Sequence, residues 1–225
     1  YSAAQIYGVK TGGVNPENGR RIFITRDGTK VQYLHLGGAN AWTTLDGTPT
    51  TSPSNQQQVL GNTLPTFYGG FNNTFRYKGF DLGLNFTFSG GNYIYNGSQA
   101  GLRDQRVWNN SVDVLNSWKT PGQITDIPRN VTTNGGNETR GAGRNSGTAA
   151  LLKYDFIRLS QLTLAYSFKP SLVNRIGLTR ARIYAQGVNL WTYTDYPGYD
   201  PEFTGAGTGQ VPLTKSYTLG VQIGF

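Results

Sequence analysis

The nine residues from Phe80 to Phe88, F-D-L-G-L-N-F-T-F, decide the fold of this chain. Five large apolar side chains alternate with four small or polar ones, so an extended strand has one hydrophobic and one hydrophilic face. The apolar positions, which we expect to face lipid, are Phe80, Leu82, Leu84, Phe86 and Phe88. This period of two predicts a β-strand with different surroundings on its two sides.

A second strand lies directly upstream and pairs with the first. Phe71, Phe75 and Tyr77 share one face, and only Lys78-Gly79 separates this strand from Phe80. A two-residue connection of this kind predicts a β-hairpin, in which glycine supplies a positive φ angle.

Three further segments have a β-like pattern. The clearest is the last one, in which Tyr217, Leu219, Val221, Ile223 and Phe225 occupy every second position. The segment near 154–168 alternates only in its second half, and either a bulge or a rise of the strand above the membrane would explain the break. The segment near 180–193 is rich in β-forming residues, although its apolar residues do not separate onto one face.

The composition of the polar face favours a membrane barrel over a soluble sandwich. Glycine, Asn, Thr, Gln and Asp lie opposite the apolar residues, as expected where one face meets a wet lumen and the other meets lipid. The predicted fold is all-β, a fragment of a transmembrane antiparallel β-barrel with long extracellular loops. Its five strands lie near 67–77, 80–90, 154–168, 180–193 and 214–225. A stand-alone soluble β-domain is the rival interpretation.

Composition and charge exclude several other classes. The 225 residues include 31 Gly and 13% aromatic residues, with 36% hydrophobic and only 14% charged residues. The formal charge of +8 comes from scattered Lys and Arg without a basic stripe, so nucleic-acid binding is not predicted.

The opening residues do not form a signal peptide, and we expect the chain to start within a longer protein.

Several motifs, taken in order, resemble the SusC/RagA family of TonB-dependent transporters of Bacteroidetes. The resemblance covers nearly the whole chain and is weakest in 1–59 and 134–150. Its motifs are L-G-N-T-L-P-T-F-Y-G-G-F-N-N from Leu60, Y-K-G-F-D-L from Tyr77, T-D-I-P-R from Thr125, F-I-R-L from Phe156, L-T-L-A-Y from Leu162, N-L at Asn189 and G-Y-D-P-E from Gly198.

This resemblance implies the C-terminal part of an outer-membrane barrel of about 22 strands, whose plug domain and earlier strands are absent from this chain. It implies glycan or peptide import with a SusD-like surface lipoprotein as a lid. Energy would come from a TonB-ExbB-ExbD complex that contacts missing N-terminal parts. The terminal aromatic pattern ending at Phe225 is expected to be read by the barrel assembly machinery. The alternative is a SusC-like barrel that serves as a surface interaction or secretion scaffold without solute import.

No catalytic residue or cofactor is predicted, because the chain has one histidine, His35, and no cysteine. Asp195, Asp200 and Glu202 are weak candidates for calcium ligands, and a proline-containing turn is the alternative that the sequence favours.

Aromatic residues have more definite roles. Trp191 and Tyr193 are predicted for the outer aromatic girdle, and Tyr77, Phe80, Phe168 and Phe225 for the inner one. The loop aromatics are expected either to contact ligand or lid or to pack within the loops; they are Trp42, Trp108, Trp118, Tyr196 and Tyr199.

Overall fold

The computed structural model describes residues 4–34, 41–103, 109–130, 150–202 and 211–225. They divide into two compact units. The first unit contains the described residues of Tyr1–Leu64 and Tyr93–Leu152, and the second unit contains those of Pro65–Asn92, Lys153–Phe203 and Gln210–Phe225. No helix among the described residues is long and apolar enough to cross a membrane.

The strands, in chain order, are β1 (Gln5–Gly8), β2 (Lys10–Val14), β3 (Arg21–Ile24), β4 (Lys30–Tyr33), β5 (Trp42–Thr44), β6 (Pro49–Thr50), β7 (Gln58–Asn62), β8 (Phe67–Tyr77), β9 (Phe80–Gly90), β10 (Tyr93–Tyr95), β11 (Leu151–Lys153), β12 (Phe156–Ser167), β13 (Arg180–Thr194) and β14 (Ser216–Gly224). Within the described ranges, short α-helices lie at α1 (Gly97–Leu102) and α2 (Pro170–Val173), and 3-10 turns lie at Pro53–Asn55, Val112–Asn116 and Asn174–Ile176.

The first unit is built around a five-stranded sheet in the order β2-β3-β4-β5-β6. Strands β3 and β4 pair antiparallel and form a hairpin. Strand β1 pairs with β7, and β10 pairs with β11. The core of the sheet is a cluster of buried side chains, namely Val9, Phe23, Val31, Ala41 and Trp42. This region therefore has a hydrophobic core of its own.

The second unit is a single sheet in the order β8-β9-β12-β13-β14, with every neighbouring pair antiparallel. These are the five predicted spanning strands, and their lengths are 11, 11, 12, 15 and 9 residues. Eleven residues at about 3.3 Å each, tilted by about 45°, cover about 26 Å, close to the apolar band of an outer membrane.

The turn between β8 and β9 fixes the register of the hairpin. Tyr77 pairs directly with Phe80, and the two residues between them have positive φ angles, 47° at Lys78 and 90° at Gly79. This is the geometry of a type I′ turn, which matches the twist of the paired strands. A Cβ atom on Gly79 would lie 2.8 Å from the carbonyl oxygen of Ser167, so glycine is required there for space as well.

The register places most of the large apolar side chains of the five strands on one side, which we call the apolar face. Residues directly opposite each other in antiparallel strands share a face. The members are Phe67, Phe71, Phe75, Tyr77, Phe80, Leu82, Leu84, Phe86, Phe88, Ile157, Leu159, Leu162, Leu164, Tyr166, Ile183, Trp191, Tyr193, Tyr217, Leu219, Val221 and Ile223.

The opposite side, which we call the polar face, carries mainly amides, hydroxyls and charges. Its polar members are Asn72, Thr74, Arg76, Asp81, Asn85, Thr87, Ser89, Arg158, Gln161, Thr163, Ser167, Arg182, Gln186, Ser216, Thr218 and Gln222. The face assignment made from alternation in β9 and β14 therefore extends across the whole sheet.

Two irregularities explain why β12 and β13 alternate poorly in the sequence. Between Leu159 and Gln161 the register of β12 shifts against both neighbours: Ser160 is an extra residue relative to β9, whereas β13 has two residues, Asn189 and Leu190, opposite it. In β13, Asn189 has a φ of 55°, and the side chain of Leu190 lies over Gly187. Of the two explanations for the break in β12, the structure shows the bulge.

The exposure of the apolar face distinguishes a membrane wall from a soluble domain. Phe71 is 55% exposed, Leu219 is 85% exposed and Val221 is 69% exposed. A soluble protein does not leave so many large side chains together in water. In addition, neither β8 nor β14 has a second partner among the described strands, and hydrocarbon does not tolerate an open sheet edge. The sheet is therefore a segment of a larger closed barrel.

Arginine substitutions test the two faces. Leu84→Arg or Leu219→Arg places a charge against lipid and is expected to cost about 2–4 kcal/mol of folding stability. Asn85→Arg is the matched control on the polar face and is expected to be tolerated. Urea unfolding of the barrel in lipid vesicles measures all three, and equal destabilisation by the three variants would contradict the assignment.

Candidate functional site

The polar face contains a charged cluster close to the two-residue turn. Asp81 lies between two arginines, with one carboxylate oxygen 3.4 Å from Nε of Arg76 and the other 3.4 Å from Nη2 of Arg182. The three residues belong to β8, β9 and β13, so the cluster spans most of the sheet. One acid between two bases leaves a net positive charge at this end of the polar face.

Neutral hydrogen-bonding groups adjoin this cluster in a shallow recess. Its lining includes Asn72, Thr74, Asn85, Gln161 and Thr163. The amide of Gln161 donates to the hydroxyl of Thr163 at 3.2 Å. Such a surface offers donors and acceptors to a polar solute and few contacts to an apolar one.

A buried arginine lies at the end of β12 that is far from the two-residue turn. The Arg158 side chain is 4% exposed, and its Nη2 atom donates to Oδ1 of Asp200 at 2.6 Å. Its Nε atom forms an ion pair with Oε2 of Glu202 at 2.8 Å. We call Arg158, Asp200 and Glu202 the loop anchor, because the two acids belong to the connection that follows β13.

Asp200 also fixes the backbone of that connection at two points. Its Oδ1 atom accepts from the amide of Glu202 at 2.9 Å, and its Oδ2 atom accepts from the amide of Leu213 at 3.2 Å. The carboxylate therefore holds residues that are 11 positions apart in the sequence. Because its oxygens accept from a guanidinium and two amides, the charge of Asp200 is well compensated.

Two tyrosines pack beside the loop anchor. The rings of Tyr154 and Tyr196 meet edge to face with centroids 5.5 Å apart. Burial raises the pKa of the Tyr154 hydroxyl, and Tyr196, Asp200 and Glu202 raise it further. Burial also raises the pKa of Tyr196. Both hydroxyls therefore stay neutral at physiological pH, and the charges of the cluster come from Arg158 and the two acids.

The described residues give the calcium hypothesis no support, and the favoured alternative, a turn that contains proline, fits this arrangement. Asp200 and Glu202 do converge, but on the guanidinium of Arg158, while Asp195 is exposed. Within the described ranges, no group of three or more His, Asp or Glu residues is placed to hold a metal ion. The cation that these carboxylates bind is an arginine of the neighbouring strand, which the sequence spacing of the acids could not indicate.

The predicted loop aromatics divide into packed and exposed residues. Trp42 lies in the core of the first unit, with its ring 5.4 Å from Phe23 between centroids. Trp118 donates its indole N–H to the carbonyl of Pro16 at 2.8 Å. Since Tyr196 is buried too, these three residues pack within the loops, which is one of the two roles expected for them. Contact of the loop aromatics with ligand or lid stays a prediction.

Tyr199 is different, because 86% of its surface is exposed. Among the predicted loop aromatics in the described part of the chain, it is the one with an open ring surface. Trp108 and His35 lie outside the described residues.

The girdle aromatics lie at the two ends of the apolar face. Phe80 contacts Tyr166 with centroids 4.6 Å apart, and Tyr166 contacts Phe168 at 5.0 Å, all near the short connections. At the other end, Trp191 and Tyr193 stack with centroids 6.3 Å apart. Two bands of rings are typical of the lipid–water interfaces of a barrel.

The proposed assembly residues Tyr217, Leu219, Val221, Ile223 and Phe225 are all exposed. The first four lie in β14 on the apolar face, and the carbonyl of Phe225 accepts from Thr179 at 3.4 Å. Their role in assembly stays a prediction.

Sequence reasoning missed Arg158, Arg76, Asp81 and Arg182 as functional candidates. Each is a charged residue on the polar face of a strand, and this charge is the feature of the sequence that could have pointed to it. Their partners come from other strands, so their pairing required the register.

Taken together, a lipid-compatible face, two aromatic bands and a hydrogen-bonding inner face define the wall of an outer-membrane β-barrel. Known proteins agree with this class. TonB-dependent receptor P3 of Formosa agariphila is 31% identical over 203 residues, which is 84% of this chain and 19% of that protein. TonB-dependent receptor P39 of the same organism is 32% identical over 181 residues, 78% of this chain and 17% of that protein.

Solved structures share the fold. The RagAB peptide importer in its closed-closed state matches with a TM-score of 0.69 and 25% identity, over 96% of this chain and 22% of that chain. Its open-open state matches with a TM-score of 0.70 and 24% identity. No protein-family model matches the chain. The chain spans about a fifth of the length of the curated relatives it matches.

The chain is therefore a segment of a TonB-dependent outer-membrane transporter of the SusC/RagA type. Its relatives carry the names of receptors and importers, not of enzymes.

Removing the central carboxylate tests the loop anchor. Asp200→Ala leaves Arg158 buried with one partner, and loss of one member of a buried ion pair costs about 3–5 kcal/mol. We expect faster hydrogen exchange at the amides of Glu202 and Leu213, measured by mass spectrometry on the full-length protein. Asp195→Ala is the exposed control and should leave both amides protected. Unchanged protection in Asp200→Ala would contradict the anchor.

Proposed function

We propose that this chain forms wall strands and extracellular loops of a TonB-energised importer of polar nutrients, either glycans or peptides. The observation that carries the proposal is one sheet with a lipid-compatible face and a continuous hydrogen-bonding face behind it. Such a wall separates hydrocarbon from a wet lumen. A wet, polar lumen is what the passage of a hydrophilic solute requires.

The chemistry of the polar face supports a polar substrate. The recess beside Asp81 is lined by side-chain amides and hydroxyls, which match the hydroxyls of sugars and the peptide groups of oligopeptides. The name of the RagAB peptide importer supports import as the activity and peptides as one of the two substrate classes. Neither class is favoured by the residues of the wall alone.

Capture of the solute is assigned to the extracellular loops. The loop anchor holds the connection after β13 against the wall, and Tyr199 presents an open aromatic ring from it. Aromatic faces stack on sugar rings and on apolar partner side chains. A SusD-like surface lipoprotein would cover these loops, and TonB-ExbB-ExbD would act through parts of the protein outside this chain.

The test is whole-cell uptake by a strain that expresses the full-length protein. Matched strains lack either that protein or TonB, and each is offered defined oligosaccharide and oligopeptide mixtures. We expect that at least one mixture is depleted, and that this depletion requires both the protein and TonB. Depletion that persists in either deletion strain would overturn the importer, and capture of surface partners without any depletion would favour the scaffold alternative.

Tyr199→Ala is a sharper test of the loop assignment. Loss of an exposed stacking surface is expected to weaken solute or lid binding about tenfold, equivalent to about 1.4 kcal/mol. Binding to the purified protein is measured by calorimetry with the mixture that cells deplete and with the lipoprotein partner. Tyr193→Ala is the control, since Tyr193 lies in the aromatic band of the apolar face. Equal affinities of wild type and Tyr199→Ala for both partners would contradict the role.

A further inference from the structure

A groove follows β13 along the apolar face. Among the outward residues of β13, Ala185 is small and lies beside Ile183, whereas the neighbouring strands carry large side chains at the same level. Ala185 lies directly between Leu164 of β12 and Leu219 of β14. The resulting depression measures about 480 Å³, and its outward lining residues are Phe80, Leu164, Tyr166, Ile183, Leu219 and Val221.

The short-connection end of this face carries a basic rim. Lys78 holds its ammonium 5.1 Å from the ring centroid of Tyr77, a member of the apolar face. Lys169 directly follows Phe168, and the connection continues to Arg175. The amide of Ser167 donates to the carbonyl of Gly79 at 2.8 Å, so the two connections lie side by side.

Among the described residues, no Asp or Glu forms an ion pair with this rim. The sequence between Tyr166 and Arg182 contains neither Asp nor Glu. The nearby Asp81 lies on the polar face, where Arg76 and Arg182 already compensate it. The three basic side chains Lys78, Lys169 and Arg175 therefore leave a net positive charge at one end of an apolar groove.

We propose that the groove and the rim bind an anionic glycerophospholipid. One acyl chain lies along β13 over Ala185, and the headgroup phosphate contacts Lys78, Lys169 and Arg175. The arrangement matches a lipid because the groove lies on the hydrocarbon side and the charges lie at one end of it. Basic residues at a membrane surface attract anionic headgroups. A zwitterionic lipid has no net charge and is therefore attracted less strongly.

The experiment uses the full-length protein, stripped of lipid in detergent and studied by native mass spectrometry. Phosphatidylglycerol and phosphatidylethanolamine with the same acyl chains are titrated separately, and inorganic phosphate is added as a competitor. We expect phosphatidylglycerol to bind more tightly than phosphatidylethanolamine and millimolar phosphate to leave it bound. Equal binding of the two lipids by the wild-type protein, or displacement by phosphate, would overturn the proposal.

Two variants separate the headgroup from the acyl contacts. Lys169→Gln combined with Arg175→Gln is expected to weaken the binding of phosphatidylglycerol about fivefold for each charge removed. The affinity for phosphatidylethanolamine is expected to stay unchanged. Ala185→Leu fills the groove and is expected to weaken both lipids. Asn73→Leu, on the apolar face of β8, is the control and should change neither. Lipid affinities that match the wild type in both groove and rim variants would refute the site, and heat-modifiable gel migration verifies that each barrel is folded.

Discussion

Every backbone N–H and C=O group in the hydrocarbon layer must find its partner within the protein, and the second unit satisfies this demand strand by strand. Strands β9, β12 and β13 are paired on both sides, and among the described strands the outer edges of β8 and β14 have no second partner. Once pairing is obligatory, alternation of side chains follows, because each strand presents every second residue to lipid. The apolar face, the aromatic bands and the polar lumen wall are consequences of this one constraint.

Departures from regular pairing occur at the end of the sheet that holds the connection after β13. The bulge at Ser160 lies two residues from Arg158, and β13 is irregular at Asn189, at the same level of the sheet. Bulges redirect side chains locally. Arg158 projects from this region to hold the connection after β13, so the irregular end of the sheet is also the end that organises a loop.

Much of the sheet was predictable, because apolar and polar residues alternate along a strand that has lipid on one side and water on the other. The hairpin with its turn at Lys78-Gly79, the faces of β9 and β14, and the break in β12 all follow from residues close in sequence. The faces of β13 did not follow, since Ala and Gly occupy part of its lipid side and Tyr184 covers Gly220 on the polar side. Small residues carry little information about which medium they face.

The sequence by itself determined the all-β architecture, the sides of the best strands and the resemblance to the transporter family. Only the tertiary structure decided the partners of the charges and the fate of the loop aromatics. Arg158 and Asp200 are separated by 42 positions, and Trp42 is buried through contacts with other strands of its sheet. Such contacts depend on strand register and on the path of the loops, which local alternation does not encode.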